Sequence, residues 1–208
     1  MTKIAVFGAG TWGIALARLL AANGRDVTVW SAIPAELKSL STTHRHPNLP
    51  GMELPAAMHY TADIAEACTG RDILLFAVPS PFVRATAKKA APHIPEGQLI
   101  VDVAKGVEDK TLMTMSEIIE DELAKAGRKA RVGALSGPTH AEEVDVSVFV
   151  DGVALVVGVL SAATSGSLGE VVAHRQLRCG GTGDGDADFV TGGEAQRFQR
   201  LCLNRLSG

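Results

Sequence analysis

The sequence predicts an α/β protein built on a doubly wound, mainly parallel sheet. Three observations lead there. Between residue 3 and about residue 144, short apolar runs alternate with helical patterns, as in β-α-β units. At least five of the runs are apolar almost throughout, as strands buried on both faces must be. The first run also feeds directly into a glycine-rich turn that opens a helix.

The five strands fall at residues 4–7, 27–30, 73–77, 99–103 and 132–135. A first helix is expected over 12–23, where Ile14, Leu16, Ala17, Leu20 and Ala21 share an apolar face and Gly24 supplies the stop. A second begins where Ser80 can cap and Pro81 can occupy the first turn, continuing through Phe82, Val83 and Ala87. A third spans 111–126, with Leu112, Met115, Ile118, Ile119 and Leu123 at helical spacing and Gly127 ending it. Residues 41–55, punctuated by Pro47, Pro50, Gly51 and Pro55, read as an excursion loop between units.

Composition narrows the function classes. A chain of 208 residues, 46% hydrophobic and 21% charged, is an ordinary globular protein of one or two domains. Its 20 basic and 23 acidic side chains are intermixed, so no basic stripe is available for nucleic acid. No apolar run approaches the ~20 residues of a membrane span, and MTKIAVFGAG enters a strand without a signal peptide. Cys68, Cys179 and Cys202 form no C-x-x-C pair, which suits a reducing cytoplasm.

After Val144 the character changes. Residues 145–208 hold half of the 22 glycines, and all eight lysines precede residue 130. Runs at 146–150 and 153–160 could complete a sheet, whereas residues 179–188 are too glycine-rich and polar for a packed element. The expected organisation is a domain over 1–178 followed by a poorly ordered tail over 179–208.

The glycine turn is Gly8-Ala9-Gly10-Thr11-Trp12-Gly13, a G-x-G-x-x-G in strand-turn-helix context. Gly8 permits the tight turn, Gly10 lets the backbone approach a pyrophosphate, and Gly13 lets helix and strand pack closely. Such a Rossmann-type turn offers unpaired helix N–H groups to the phosphates. The acidic residue that would bind the adenosine ribose of NAD is missing from Val29-Trp30-Ser31-Ala32-Ile33. Ser31 leaves room for a 2′-phosphate, with Lys38 or Arg45 reaching in, so the expected cofactor is NAD or NADP with a lean to NADP.

Ligands of open α/β sheets sit beyond the carboxyl ends of the strands. Three clusters fall there. Ala77-Val78-Pro79-Ser80 bends the chain across the crevice at Pro79, or serves only as a helix entry. Lys105-Gly106 puts an ammonium at the sheet edge, able to hold a phosphate or carbonyl oxygen. In the third, 135–143, Thr139 and Glu142 form a capping box that leaves Gly137 and first-turn amides open to an anion. His140 reads as a surface or hydrogen-bonded cap residue. His44 and His46, with no third ligand nearby, do not make a metal site.

Together the glycine turn with its tryptophan, Asn48-Leu49-Pro50-Gly51, Ala77–Ser80, Lys105-Gly106-Val107-Glu108 with Thr111-Leu112, and residues 136–144 resemble the bacterial NAD(P)-dependent glycerol-3-phosphate dehydrogenases. The resemblance implies reversible reduction of dihydroxyacetone phosphate to sn-glycerol 3-phosphate, the entry to phospholipid synthesis. It makes Thr11 and Trp12 part of the cofactor site, Lys105 a contact to cofactor and substrate, Gly137 and Thr139 substrate contacts, and Ala141 a cofactor contact. A homodimer is a further expectation.

The resemblance is dense to residue 144 and faint to 178. The family's proton-donating lysine, on a helix opening a C-terminal helical domain, is not found; Gly192-Gly193-Glu194-Ala195-Gln196-Arg197 is an echo without it. Arginine is a poor proton donor at neutral pH. The expectation is a truncated or frame-shifted dehydrogenase without that domain, its catalytic residue unknown and its turnover low. The alternatives are a non-catalytic dinucleotide-binding fragment or a related reductase acting on a keto or hydroxy acid.

Overall fold

The computed structural model describes residues 1–136 and 188–191. Its elements are β1 (Lys3–Phe7), α1 (Thr11–Ala22), β2 (Asp26–Trp30), α2 (Pro34–Thr43), β3 (His59–Thr61) and α3 (Ile64–Cys68). They are followed by β4 (Ile73–Phe76), α4 (Ser80–Ala90), β5 (Gln98–Asp102), α5 (Met115–Lys125), β6 (Ala130–Ser136) and β7 (Asp188–Thr191). The sheet order is β3-β2-β1-β4-β5-β6-β7. The first six strands are parallel, and β7 joins β6 antiparallel.

The apolar runs form strands because both of their faces are covered. β4 and β5 are buried at every position, and β1 and β2 at every position but the first. Successive side chains alternate between faces. Ile4 and Val6 join a core with Ile14, Leu16 and Leu20 of α1 and Leu37 and Leu40 of α2. Ala5 and Phe7 join the other core, with Ile64 of α3, Val83 and Ala87 of α4, and Ile118 and Leu123 of α5. The doubly wound arrangement predicted from the sequence is therefore present.

Several local expectations are corrected. Residues 41–43 belong to the last turn of α2, which ends at His44 in the left-handed region (φ 50°). The following connection returns Leu49, Met52 and Leu54 to the α1 side of the core, and Arg18 Nε fastens it by donating to the Glu53 carbonyl at 2.9 Å. Ser80 does not cap α4: Pro79 holds the N-cap position, with no side-chain cap hydrogen bond. α5 starts at Met115 rather than 111, because a capping box between Thr114 and Glu117 satisfies its first amides. Asp188–Thr191, within the tail expected to lack order, pairs with Gly133–Ser136, its Phe189-Val190-Thr191 being strongly β-prone. The runs at 146–150 and 153–160 and the remainder of the tail lie outside the described residues.

No described helix is long and apolar enough to cross a membrane. Burial pushes the Cys68 thiol up to about 12, with the nearby Asp63 charge adding to the effect, so it stays protonated.

Candidate functional site

The strand order reverses direction between β1 and β4, and the carboxyl ends of these strands carry the glycine turn and the Ala77–Ser80 turn. The two turns are in contact. Ala77 N–H donates to the Phe7 carbonyl at 2.8 Å, and Gly8 N–H donates to the Trp30 carbonyl at 2.9 Å. One strand further, Val103 N–H donates to the Phe76 carbonyl at 3.0 Å, bringing the start of the Lys105 loop to the same edge.

The three glycines of the turn meet different surroundings. Gly8 has φ +123°, and a Cβ there would stand 2.7 Å from the Ala77 carbonyl oxygen. A Cβ on Gly13 would run into the Gly8 carbonyl oxygen. At Gly10 a Cβ would meet nothing within 4 Å. Gly8 and Gly13 are thus required by the protein's own packing, whereas Gly10 faces open space at the N-cap of α1. No side chain caps that helix, and Ile14 N–H makes its first intrahelical bond, to the Gly10 carbonyl at 2.9 Å. The preceding amides, at Thr11, Trp12 and Gly13, are the groups a helix leaves for an anion. Trp12, half-buried, packs its ring against the α1-side core.

Pro79 stands between β4 and α4, next to the glycine turn. Lys105 is exposed in the β5–α5 loop, and Gly106 (φ +114°) lies beside Ser80, whose Cβ and Oγ would be 3.8 Å from a Gly106 Cβ. The structure therefore brings Gly8, Gly10, Thr11, Trp12, Gly13, Pro79 and Lys105 to one edge. Gly137, Thr139 and Ala141, and with them His140, lie outside the described residues.

The base of the Lys105 loop rests on Asp102, 1% exposed at the end of β5. Its Oδ1 accepts from Ala104 N–H at 2.9 Å and its Oδ2 from Ser116 Oγ at 3.2 Å. Burial pushes this carboxyl up to about 7, and the two hydrogen bonds only partly offset it. Because the folded value exceeds the unfolded one, the contribution to stability is complete below about pH 4 and lost as pH rises towards 7. A displacement of that size corresponds to about 4 kcal/mol. Asp102→Asn keeps an acceptor for Ala104 and removes the titration. Thermal unfolding between pH 5 and 8 is expected to show the wild-type midpoint falling and the variant's staying level; parallel curves would refute this assignment.

An ion-pair network holds the other side of the loop. Arg84 of α4 donates to Glu108 through Nε and Nη2, both at 2.7 Å, and through Nη1 to Asp121 at 2.5 Å and Glu122 at 2.6 Å. The Arg84 hydrogen bonds, with one from Thr111, hold the Glu108 carboxyl down at about 2. Burial pushes Glu122 up, but hydrogen bonds from Lys125 and Arg84 outweigh it and leave it below the usual range. Nothing in the linear order of the sequence marks Arg84.

Two further residues reach the site from α2 and the loop behind it. Ser31 Oγ donates to Glu36 Oε2 at 2.9 Å and accepts from Ile33 N–H at 3.1 Å. His46, buried, hydrogen-bonds to the backbone of Ala9 inside the glycine turn, and its Nδ1 accepts from Asn48 N–H at 3.2 Å. Burial lowers the His46 imidazole below its ordinary value, against the Ala9 bond and the Glu36 charge. Of the cations expected beside Ser31, Arg45 pairs with Glu53 at 3.3 Å in an exposed ion pair, and Lys38 lies two residues after Glu36 on α2. A separate cleft of about 280 Å³, lined by Arg71, Asp72, Gln98 and Arg131, opens at the amino-terminal edge, opposite this site.

Comparison with known proteins agrees with this geometry. Residues 3–157 match the family described as NAD-dependent glycerol-3-phosphate dehydrogenase N-terminus. The chain is 60% identical over 146 residues to glycerol-3-phosphate dehydrogenase (NAD(P)+) 2 of Lactobacillus delbrueckii subsp. bulgaricus, covering 69% of this chain and 43% of that protein. It is 39% identical over 177 residues to the Nitratidesulfovibrio vulgaris glycerol-3-phosphate dehydrogenase (NAD(P)+), covering 85% and 52%. The crystal structure of the Coxiella burnetii glycerol-3-phosphate dehydrogenase superposes with a TM-score of 0.62 at 27% identity, over 69% of this chain and 43% of that one. The chain thus spans about half or less of the length of these relatives.

Proposed function

Because the chain belongs to the NAD-dependent glycerol-3-phosphate dehydrogenase family, we propose that its described residues hold the dinucleotide for reversible reduction of dihydroxyacetone phosphate to sn-glycerol 3-phosphate. The observation that carries this reading is the open space at Gly10 beside an uncapped helix. Side-chain-free approach and unpaired amides are what a pyrophosphate needs. When bound, the nicotinamide supplies the hydride, and the protein supplies orientation and electrostatics. Gly8 and Gly13 shape the turn, and the amides of Thr11 and Trp12 take the pyrophosphate. Pro79 walls the crevice, and Lys105 places an ammonium where cofactor meets the substrate's carbonyl and phosphate oxygens. Gly137 and Thr139 are assigned to the substrate phosphate and Ala141 to the cofactor, by position in the family motif.

The cofactor class is NAD(P). Ser31, without a carboxylate of its own, favours NADP, and Glu36 beside it favours NAD. The product is a glycerophospholipid precursor, and we assign the reaction to the cytoplasm and a homodimer. A second reading, a dinucleotide-binding module without turnover, is favoured by one observation. None of the eight lysines lies beyond residue 129, where the family resemblance would put the proton-donating lysine.

Titration of the purified chain with NADH and NADPH, followed by dihydroxyacetone phosphate, tests both readings. Binding without oxidation is expected. Oxidation at a rate typical of enzymes would overturn the module reading, and failure to bind either nucleotide would overturn the site itself. A 2-keto acid offered as alternative substrate should be inert.

A further inference from the structure

We propose that the cleft at the amino-terminal edge of the sheet is a second ligand site, which takes a small polyhydroxylated phosphate monoester. The cleft, of about 280 Å³, lies across the starts of β4, β5 and β6. It is at the strand ends opposite the glycine turn, so the inference stands apart from the dinucleotide reading. Of the side chains that line it only Leu99 is apolar, and the ligand it suits is therefore polar.

Two arginines bring positive charge to the cleft from different strands. Arg71 stands two residues before β4, and Arg131 is the second residue of β6. Ile73, Leu99 and Arg131 share one row of the sheet, so the two arginines flank the start of β5. Two strand spacings amount to roughly 10 Å, a gap that a pair of long side chains can close on one ligand. Among the described residues neither guanidinium is ion-paired with a carboxylate. Arg131 Nε donates to the Gly97 carbonyl at 3.4 Å, which leaves its two Nη groups for another partner. Arg71 Nε is shut off from solvent and has no hydrogen-bond partner. A buried donor in that state is rare, and here it leaves the charge of a half-buried guanidinium uncompensated at the cleft.

The two acids of the cleft define the rest of the ligand. Asp72 Oδ2 accepts from Lys3 N–H at 2.7 Å, and Glu96 Oε2 accepts from Lys129 N–H at 3.1 Å. Both residues are exposed, and each carboxylate keeps a second oxygen that can accept from a hydroxyl. A bare anion would gain from the arginines and be repelled by these acids. A phosphate monoester with hydroxyl groups uses all four side chains, its phosphate on the guanidiniums and its hydroxyls on the carboxylates. Phosphate also fits the arginines better than a carboxylate does. Forks arriving from two strands can each engage a different edge of a tetrahedral dianion, whereas a planar carboxylate offers one edge and one charge.

The test is an NMR titration of the ¹⁵N-labelled full chain with inorganic phosphate, glucose and glucose 6-phosphate, reading the arginine Nε–H resonances. Those of Arg71 and Arg131 are expected to shift saturably with glucose 6-phosphate, at a dissociation constant at least about fivefold below that of inorganic phosphate, and to stay in place with glucose. Arg25 and Arg128, outside the cleft, report general screening, and the Thr11 and Gly13 amides report any phosphate at the glycine turn. Arg131→Gln should weaken glucose 6-phosphate at least about tenfold while the spectrum elsewhere is unchanged, since this side chain is exposed. Shifts at Arg71 and Arg131 that fail to saturate by about 50 mM, or that match those of Arg25 and Arg128, overturn the site. Equal affinity for phosphate and its glucose ester overturns the polyhydroxylated ligand class. Unchanged binding in Arg131→Gln puts the phosphate elsewhere and overturns the inference as well.

Discussion

Gly13→Ala is expected to lower the thermal midpoint by about 6 to 12 °C, whereas Gly10→Ala should leave it nearly unchanged and weaken NADH binding tenfold to a hundredfold. The two substitutions add the same methyl group to the same turn. At Gly13 the new carbon collides with the Gly8 carbonyl oxygen, a backbone atom that cannot move without separating β1 from α1. Overpacking of that kind costs about 3 kcal/mol, which in a chain of this size moves the midpoint by the amount stated. At Gly10 the backbone is ordinary (φ −71°, ψ 174°) and the methyl group enters empty space. Only a bound pyrophosphate would feel it, and a steric penalty of about 1 to 3 kcal/mol there gives the expected loss of affinity. Circular dichroism melts and nucleotide titrations of both variants separate the effects. Gly10→Ala binding NADH as well as wild type would remove the pyrophosphate from this turn.

Arg84→Leu is expected to destabilise the chain by about 2 kcal/mol and to weaken NADH binding as well. Exposed ion pairs contribute ~0–1 kcal/mol, and removing one partner of a fully buried pair costs ~3–5 kcal/mol. Arg84 lies between these limits: its side chain is 27% exposed, but its partner Glu122 is 5% exposed. Lys125, 2.9 Å from Glu122, remains as a counter-charge and limits the loss. Glu108, which Thr111 Oγ1 also reaches by a hydrogen bond, stands three residues after Lys105 in the β5–α5 loop. Releasing Glu108 should therefore loosen Lys105. Stability measured by urea unfolding and affinity measured in the same buffer should both fall; a variant with unchanged affinity would uncouple the network from the site. Because Arg84 holds Glu108 down at about 2, that carboxylate's contribution is complete above about pH 4.5 and is lost only as pH falls towards 2.

The strands and the glycine turn were legible in the sequence because their causes are local. A strand buried on both faces must be apolar at every position, and β4, with all four residues buried, reads that way from its letters alone. The other elements have weaker local signals. β3 is three residues long with one fully buried, α3 has five residues, and α2 buries only Leu37 and Leu40 of ten. At the start of α5, Leu112 continues the apolar periodicity but sits at φ 56° and is 67% exposed, so the helix begins later, at the cap. The candidate site divides the same way. Gly8, Gly10 and Gly13 follow from the demands of one turn. The carboxylate that bonds Ser31 belongs to Glu36 on the next helix, and His46 reaches Ala9 only because the loop behind α2 folds back over α1. Arg84 depends on the packing of α4 against α5. Such positions are set by tertiary return of the chain, for which spacing gives no cue.

The central place of β1 in the sheet has a consequence for biosynthesis. β1 pairs on both sides, with β2 and with β4, and the β4 partner of Ile4 is Ile73. At elongation rates of 5–20 residues per second, one long edge of β1 stays open for roughly 3 to 14 s after its own synthesis. An open apolar edge is a template for pairing with another chain. The nascent β1-β2-β3 half is thus open to pairing with other chains for that interval, and the yield of folded protein should depend on how quickly β4 follows.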